Sequence, residues 1–172
     1  MNDAATSLSA LITSKSRLSA PEQIEATVQA TDGKSTRIHQ VIARSPTGEY
    51  RSTTDDESVS YNPHTHELVF EPANDPPLRI TRDEFPLAFP VLAMFSPLDL
   101  PIWDYNHNYE VVDAWSDGDS VRLEFAGSIG SGQAIIDLEN HVAVELQYLD
   151  WLYTVRDLFI TLHGDVGRTV WT

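Results

Sequence analysis

The chain contains no cysteine in 172 residues. That absence removes disulfide frameworks, thiol nucleophiles and cysteine-ligated zinc, and it leaves the redox compartment open. Basic charge is scarce and uneven. Residues 52–172 hold five arginines, no lysine and twenty-one acids, whereas residues 1–51 hold six basic residues against five acids, for a formal net charge of −15. Neutralising a phosphate backbone needs a basic stripe. None is present, so nucleic acid and anionic membrane surfaces are poor partners, and the acidity reads as a solubility device or a salt-rich habitat. A long apolar run is also missing. The stretch Phe85 to Leu98 has fourteen uncharged residues, against the roughly 20 needed to cross a bilayer. The N-terminus, MNDAATSLSALIT, has an acidic start and no sustained apolar segment, so no secretory signal is expected. The chain as written reads as cytoplasmic, or as exported if a signal has been trimmed.

What is present is β grammar. A loose 3.6-residue period through Leu8, Leu11, Ile12 and Leu18, ending before Pro21, predicts one amphipathic N-terminal helix. From Ile24 the period becomes two: Ile24, Ala26, Val28 and Ala30 alternate with polar residues up to Asp32-Gly33, a hairpin turn. Strands are expected over 37–44, 58–61, 67–71, 109–115, 120–125, 133–138 and 142–148, joined by short turns. The spacing describes an antiparallel meander. Val121, Leu123 and Phe125 oppose Arg122 and Glu124, and Val142, Val144, Leu146 and Tyr148 oppose Ala143, Glu145 and Gln147. One face is therefore apolar and the other wet. After Trp151 further strands are expected, with a turn over 164–167.

One interruption, residues 72–108, is too long for an ordinary loop and too apolar for disorder. Its centre, FPLAFPVLAMFSPLDLPIW, carries one charge and four prolines. Two helical turns over Leu87 to Phe95 are the most it can form, with Pro90 near the first helical position. A curved sheet with one apolar face has to cover that face, and a single short helix is too small. The expected architecture is a single α+β domain over 1–172. A strongly curved antiparallel sheet, a half-barrel meander, is capped by an N-terminal helix (1–20) and a proline-rich apolar flap (72–108), with strands over 22–71 and 109–172. Burial of Phe89, Leu92, Phe95 and Trp103 would contribute on the order of 1.5–3 kcal/mol each. The flap is then either plain core or a lid over a cavity holding an apolar ligand.

On the lid reading the ligand-binding residues are Phe89, Leu92, Phe95 and Trp103 above and Leu68, Phe70, Val121, Leu123, Phe125, Val144 and Leu146 on the wall. The segment WDYNHNYE, 103–110, forms the rim, with Trp103, Tyr105 and Tyr109 flanking the entrance and His107 able to hydrogen-bond a ligand headgroup. The same segment reads equally well as a hinge with locally packed aromatics.

No catalytic motif is written in the chain. His64-Thr65-His66 offers two imidazoles but no third ligand and follows a turn-forming Asn62-Pro63. Asp117-Gly118-Asp119 lacks the spaced oxygens of a calcium loop and reads as a hairpin turn, and Asp55-Asp56-Glu57 as a turn or a solvated edge. GSIGSG, 127–132, leads into a strand rather than a helix and has no following lysine, so it is a hairpin connection and not a phosphate cradle. There is no G-x-S-x-G elbow. No metal, cofactor or catalytic residue is assigned. An enzyme would need a polar cluster with shifted pKa values inside the cavity.

With helix, meander and flap in place, the chain resembles the superfamily of periplasmic lipoprotein carriers, mycobacterial lipid-binding lipoproteins and anti-sigma-factor regulator sensor domains. The resemblance rests on the DAATSL helix, the strand IEATVQATDG, the Tyr50-Arg51 strand end, the hairpin SVSYNPHTHELVFEP and the late hairpin GQAIIDLENHVAVELQYLD, covering about residues 3–150. It implies an incomplete barrel capped by helices that holds acyl chains, and hence a carrier or sensor of a hydrophobic molecule without a reaction. The competing expectation is a protein-interaction module in which an exposed flap docks a protein partner or a second copy.

Overall fold

The computed structural model describes residues 4–17, 21–44, 47–83, 85–86, 88–103, 109–162 and 167–171. Helix α1 (Ala4–Arg17) precedes β1 (Gln23–Thr31), β2 (Thr36–Arg44), β3 (Glu49–Thr53), β4 (Glu57–Asn62), β5 (Glu67–Pro72) and β6 (Leu78–Thr81). A short helix α2 (Pro90–Ala93) and two single 3-10 turns, Pro97–Asp99 and Pro101–Trp103, lead to β7 (Glu110–Asp117). The chain continues through β8 (Ser120–Gly127), β9 (Gly130–Asp137), β10 (Val142–Tyr148), β11 (Trp151–Thr161) and β12 (Arg168–Trp171).

All pairings are antiparallel, in the spatial order β6-β5-β4-β3-β2-β1-β11-β10-β9-β8-β7. Two meanders, β1 to β6 and β7 to β11, are thus joined through β1 and β11. The result is the curved, helix-capped α+β sheet that the alternation predicts. Strand β11 is long enough to pair differently along one edge: Trp151 to Thr154 with β10, and Leu158 to Ile160 with β12. The turn expected over 164–167 falls mostly outside the described residues.

Alternation decides which side chains enter the core. On β1, Ile24, Ala26, Val28 and Ala30 are all buried, and on β8 Val121, Leu123 and Phe125 are buried while Arg122 and Glu124 are exposed. The β1–β2 turn closes as expected. Gly33 takes φ +82, and the Asp32 carboxylate accepts the backbone N–H groups of Lys34 (2.8 Å) and Ser35 (2.7 Å), which hold it below the usual carboxylate range. On β10 the alternation slips. A bulge between Ala143 and Glu145 turns Ala143 into the core and leaves Val144 half-buried and without a partner on β9.

The flap begins later than the sequence suggests, because residues 78–81 form β6 against β5. From there the chain must travel from one edge strand, β6, to the other, β7, and so it crosses the apolar face. Three of its four prolines, Pro90, Pro97 and Pro101, each open a helical turn, where the missing N–H costs nothing. Helix α2 is consequently four residues long, shorter than the two turns expected. Leu92, Met94 and Phe95 enter one continuous core shared with Leu11 of α1 and with both meanders. Helix α1 covers β7 and β8 with Leu8 and Leu11, while Ile12 points to solvent.

One close approach yields a test. A Cβ added at Gly132 would lie 2.0 Å from the Gln147 carbonyl oxygen and 2.7 Å from the Phe125 ring. Gly132→Ala is expected to cost roughly 1–3 kcal/mol. Thermal unfolding of that variant at an unchanged melting point would show that β9 and β10 yield there freely.

Candidate functional site

The flap is strapped down along its whole described length. Phe85 sets its ring edge against Tyr50 (5.1 Å between centroids) and Tyr61 (5.0 Å), and the Tyr61 hydroxyl donates to the Arg82 carbonyl at 3.2 Å. Phe89 stacks on Phe70 at 5.8 Å. The Ala143 N–H donates to the Met94 carbonyl at 2.7 Å, tying the flap to the β10 bulge. Ser96 bonds the Tyr50 phenol, whose pKa burial pushes up, and its hydroxyl donates to Asp99. The Trp103 indole N–H donates to the Pro97 carbonyl at 2.8 Å.

Of the residues expected as lid, Leu92 and Phe95 are core, at 0 % and 5 % exposure. Of those expected as wall, Leu68, Val121, Leu123, Phe125 and Leu146 are buried in that same core. The space beneath the flap is thus occupied by the flap's own side chains. Residues 90–97 are buried throughout, while Ala88 and Asp99 on either side of them are exposed. Trp103 is 36 % exposed, away from the core's centre. Tyr105 and His107 lie outside the described residues. Tyr109 packs edge-on against Phe125 at 5.4 Å and bonds the Tyr148 hydroxyl.

The structure opens a different space, at the leading edge of the flap. A half-open pocket of about 540 Å³ lies between Ala88 to Val91, the β1–β2 hairpin and the β10–β11 hairpin. Strand register explains it. Ala30 has Arg37 opposite on β2 and Tyr153 opposite on β11, so a methyl group sits between two long side chains and the missing volume becomes the floor. Phe89, Pro90 and Val91 form one wall and Trp151 and Tyr153 the other, their rings 6.4 Å apart. Two hairpin tips, Ile129 and Leu149, each 44 % exposed, stand at the mouth, and Leu149 adopts φ +54 to do so. Of the described residues singled out from the sequence as binding, only Phe89 lines this pocket.

Arg37 and His39 share the parity of Val41 and Ala43 on β2, but only His39 is buried, and Arg37, near the start of the strand, is exposed. The Arg37 guanidinium lies 5.4 Å from the centre of the Trp151 ring, within cation–π range. His39 is 8 % exposed, and its Nδ1 is 3.0 Å from the Ser52 hydroxyl. Burial first, and the neighbouring Arg37 charge second, push the imidazole pKa down to about 4. Burial pushes the Tyr153 phenol up to about 12, with Arg37 partly offsetting it. Both groups are therefore neutral near pH 7. Arg37 is the one charged group among the described lining residues.

These polar groups do not assemble a nucleophile. Ser52 is 2 % exposed and does not line the pocket, and among the described residues no carboxylate orients His39. His64 and His66 fall in the β4–β5 turn, and the His64 ring fills the space above Gly48. Asp117 and Asp119 flank the β7–β8 turn, sharing a shallow surface hollow with Asp137 and Glu139. Among the described residues no group of three His, Asp or Glu is placed to hold a metal ion, and no helix is long and apolar enough to cross a membrane.

No protein-family model matches the chain, and no curated protein matches it. Solved structures similar to it over most of both chains include three at 11 % identity. An uncharacterised conserved protein from Thermus thermophilus has a TM-score of 0.45, covering 94 % of this chain and 89 % of that one. A DUF1329 family protein from Desulfovibrio piger has a TM-score of 0.39, covering 98 % and 90 %. A LolA superfamily protein from Nitrosomonas europaea has a TM-score of 0.33, covering 95 % and 74 %.

Proposed function

We propose that the protein is a non-enzymatic binding protein, a carrier or sensor, that holds a small hydrophobic, lipid-like molecule in the pocket at the flap's leading edge. The observation that carries this reading is the pocket itself. Its volume of about 540 Å³ lies inside the roughly 300–1,000 Å³ span of small-molecule sites, and its walls are mainly aromatic and aliphatic. A closed core would have filled the gap over Ala30 with a larger side chain. The exposed aliphatic tips Ile129 and Leu149 extend the apolar surface outward, which suits a ligand longer than the pocket is deep. Binding without reaction is favoured because Ser52, the hydroxyl next to His39, is sealed away from the space a substrate would occupy.

Apolar burial makes the reading quantitative. Each ligand methylene removed from water contributes ~0.8 kcal/mol, so affinity should rise roughly fourfold per carbon until the pocket is full. Calorimetric titration with linear alcohols from hexanol to dodecanol measures that slope. Trp151→Ala, which removes one wall, should weaken every member of the series. Affinity that ignores chain length, or that survives the loss of Trp151, would sink the proposal.

A further inference from the structure

We infer that Arg37 is a headgroup receptor, and that the molecule held at this pocket is a single-chain amphiphile ending in an anionic oxygen group, a carboxylate or a phosphate. The inference rests on the binding reading above and names the ligand's polar end. Arg37 is exposed, yet it lines an otherwise apolar and aromatic pocket and is the one charged group among its described lining residues. Arg44 and Arg51 pair with Glu49, Arg79 with Glu67 and Arg168 with Glu139, whereas Arg122 lies over the Trp115 ring and Arg156 donates to the Gln29 amide oxygen. Arg37 pairs with no carboxylate among the described residues, in a protein with twenty-six acids to choose from. The guanidinium lies over the aromatic face of Trp151, and its planar donors point to no carboxylate among the described residues.

The neighbours fit an incoming anion. No acidic residue lines the pocket among the described residues, so nothing there repels one. Tyr153 stays protonated and keeps its hydroxyl as a donor. His39 has Nδ1 beside the Ser52 hydroxyl, while Nε2 makes no hydrogen bond among the described residues. When Ser52 donates to Nδ1, the proton sits on Nε2, giving this lining residue a neutral donor. A fork of guanidinium N–H groups with neutral donors beside it matches two oxygens of one headgroup.

The test uses dodecanoate, dodecyl phosphate and dodecan-1-ol, titrated at neutral pH into the wild type, Arg37→Gln and Arg37→Lys. Unchanged melting curves for the variants show that they fold. The wild type should hold at least one anion about tenfold more tightly than the alcohol. Arg37→Gln should erase that preference while leaving the alcohol within about twofold, and Arg37→Lys should keep part of it. The anion held more tightly names the headgroup. Equal binding of anions and alcohol by the wild type, or a preference that persists in Arg37→Gln, overturns the inference and leaves the pocket's apolar role standing. Failure of all three probes overturns the pocket itself as a binding site.

Discussion

Phe95→Ala is expected to destabilise the protein by about 3–5 kcal/mol, the usual cost of truncating a large buried aromatic. Phe95 is 5 % exposed and belongs to the core that also contains Leu92, Met94, Leu123 and Leu146. The Met94 carbonyl is fixed to the Ala143 N–H, so the flap cannot settle inward to fill the gap. The residual cavity adds its own penalty to the lost transfer energy. Phe95→Asp should be worse still and prevent folding, since no partner for a carboxylate is available at that depth. Urea unfolding of Phe95→Ala measures the effect. A loss of stability below about 1 kcal/mol would mean that the flap opens readily, as a lid would have to. The contrast with Trp151→Ala is informative, because loss there should appear in ligand affinity more than in stability.

Strand positions were legible because alternation is a local signal. Ile24, Ala26, Val28 and Ala30 announce both β1 and its buried face, and Asp32-Gly33 announces the turn that follows. The need for a second cover over the apolar face was legible from the same reasoning, and so was the role of proline in breaking it into short turns. Two features were not. Strand β6 is a four-residue edge with three exposed positions, too short and too wet to carry a period. The bulge at Ala143 to Glu145 reverses the facing of one residue, and nothing in VAVELQY marks where the slip occurs. The pocket was hidden for a different reason. Its floor comes from Ala30 sitting between Arg37 and Tyr153, and the second neighbour is brought in by the β1–β11 pairing across most of the chain. One signal did exist: His39 shares the parity of Val41 and Ala43, so a polar ring was already placed on the inner face, with the exposed Arg37 in line with it.

That inner-face histidine gives the second large effect, a loss of stability in mild acid. In the unfolded chain His39 has its ordinary pKa of 6.5, whereas in the folded protein burial and Arg37 hold it down to about 4. Between those values the unfolded state binds a proton that the folded state refuses. The stabilising contribution is thus fully present above pH 6.5, declines as pH falls through the window, and is gone once the folded imidazole also protonates near pH 4. The difference between the two ends is about 3 kcal/mol, from ~1.4 kcal/mol per unit of pKa. His39→Gln keeps a neutral polar group next to Ser52 but cannot titrate, so its stability should be flatter between pH 6.5 and pH 4. Urea midpoints of both proteins across that range provide the comparison, in which the remaining titrating groups cancel. Parallel curves would show that His39 takes up its proton in the folded state as easily as in the unfolded one. In Arg37→Gln the window should narrow, because the guanidinium is the second cause of the shift and its removal lets the imidazole pKa rise. The same coupling keeps the pocket singly charged at neutral pH: while Arg37 carries its charge beside a buried ring, a second cation is costly, and His39 remains a neutral hydrogen-bonding group.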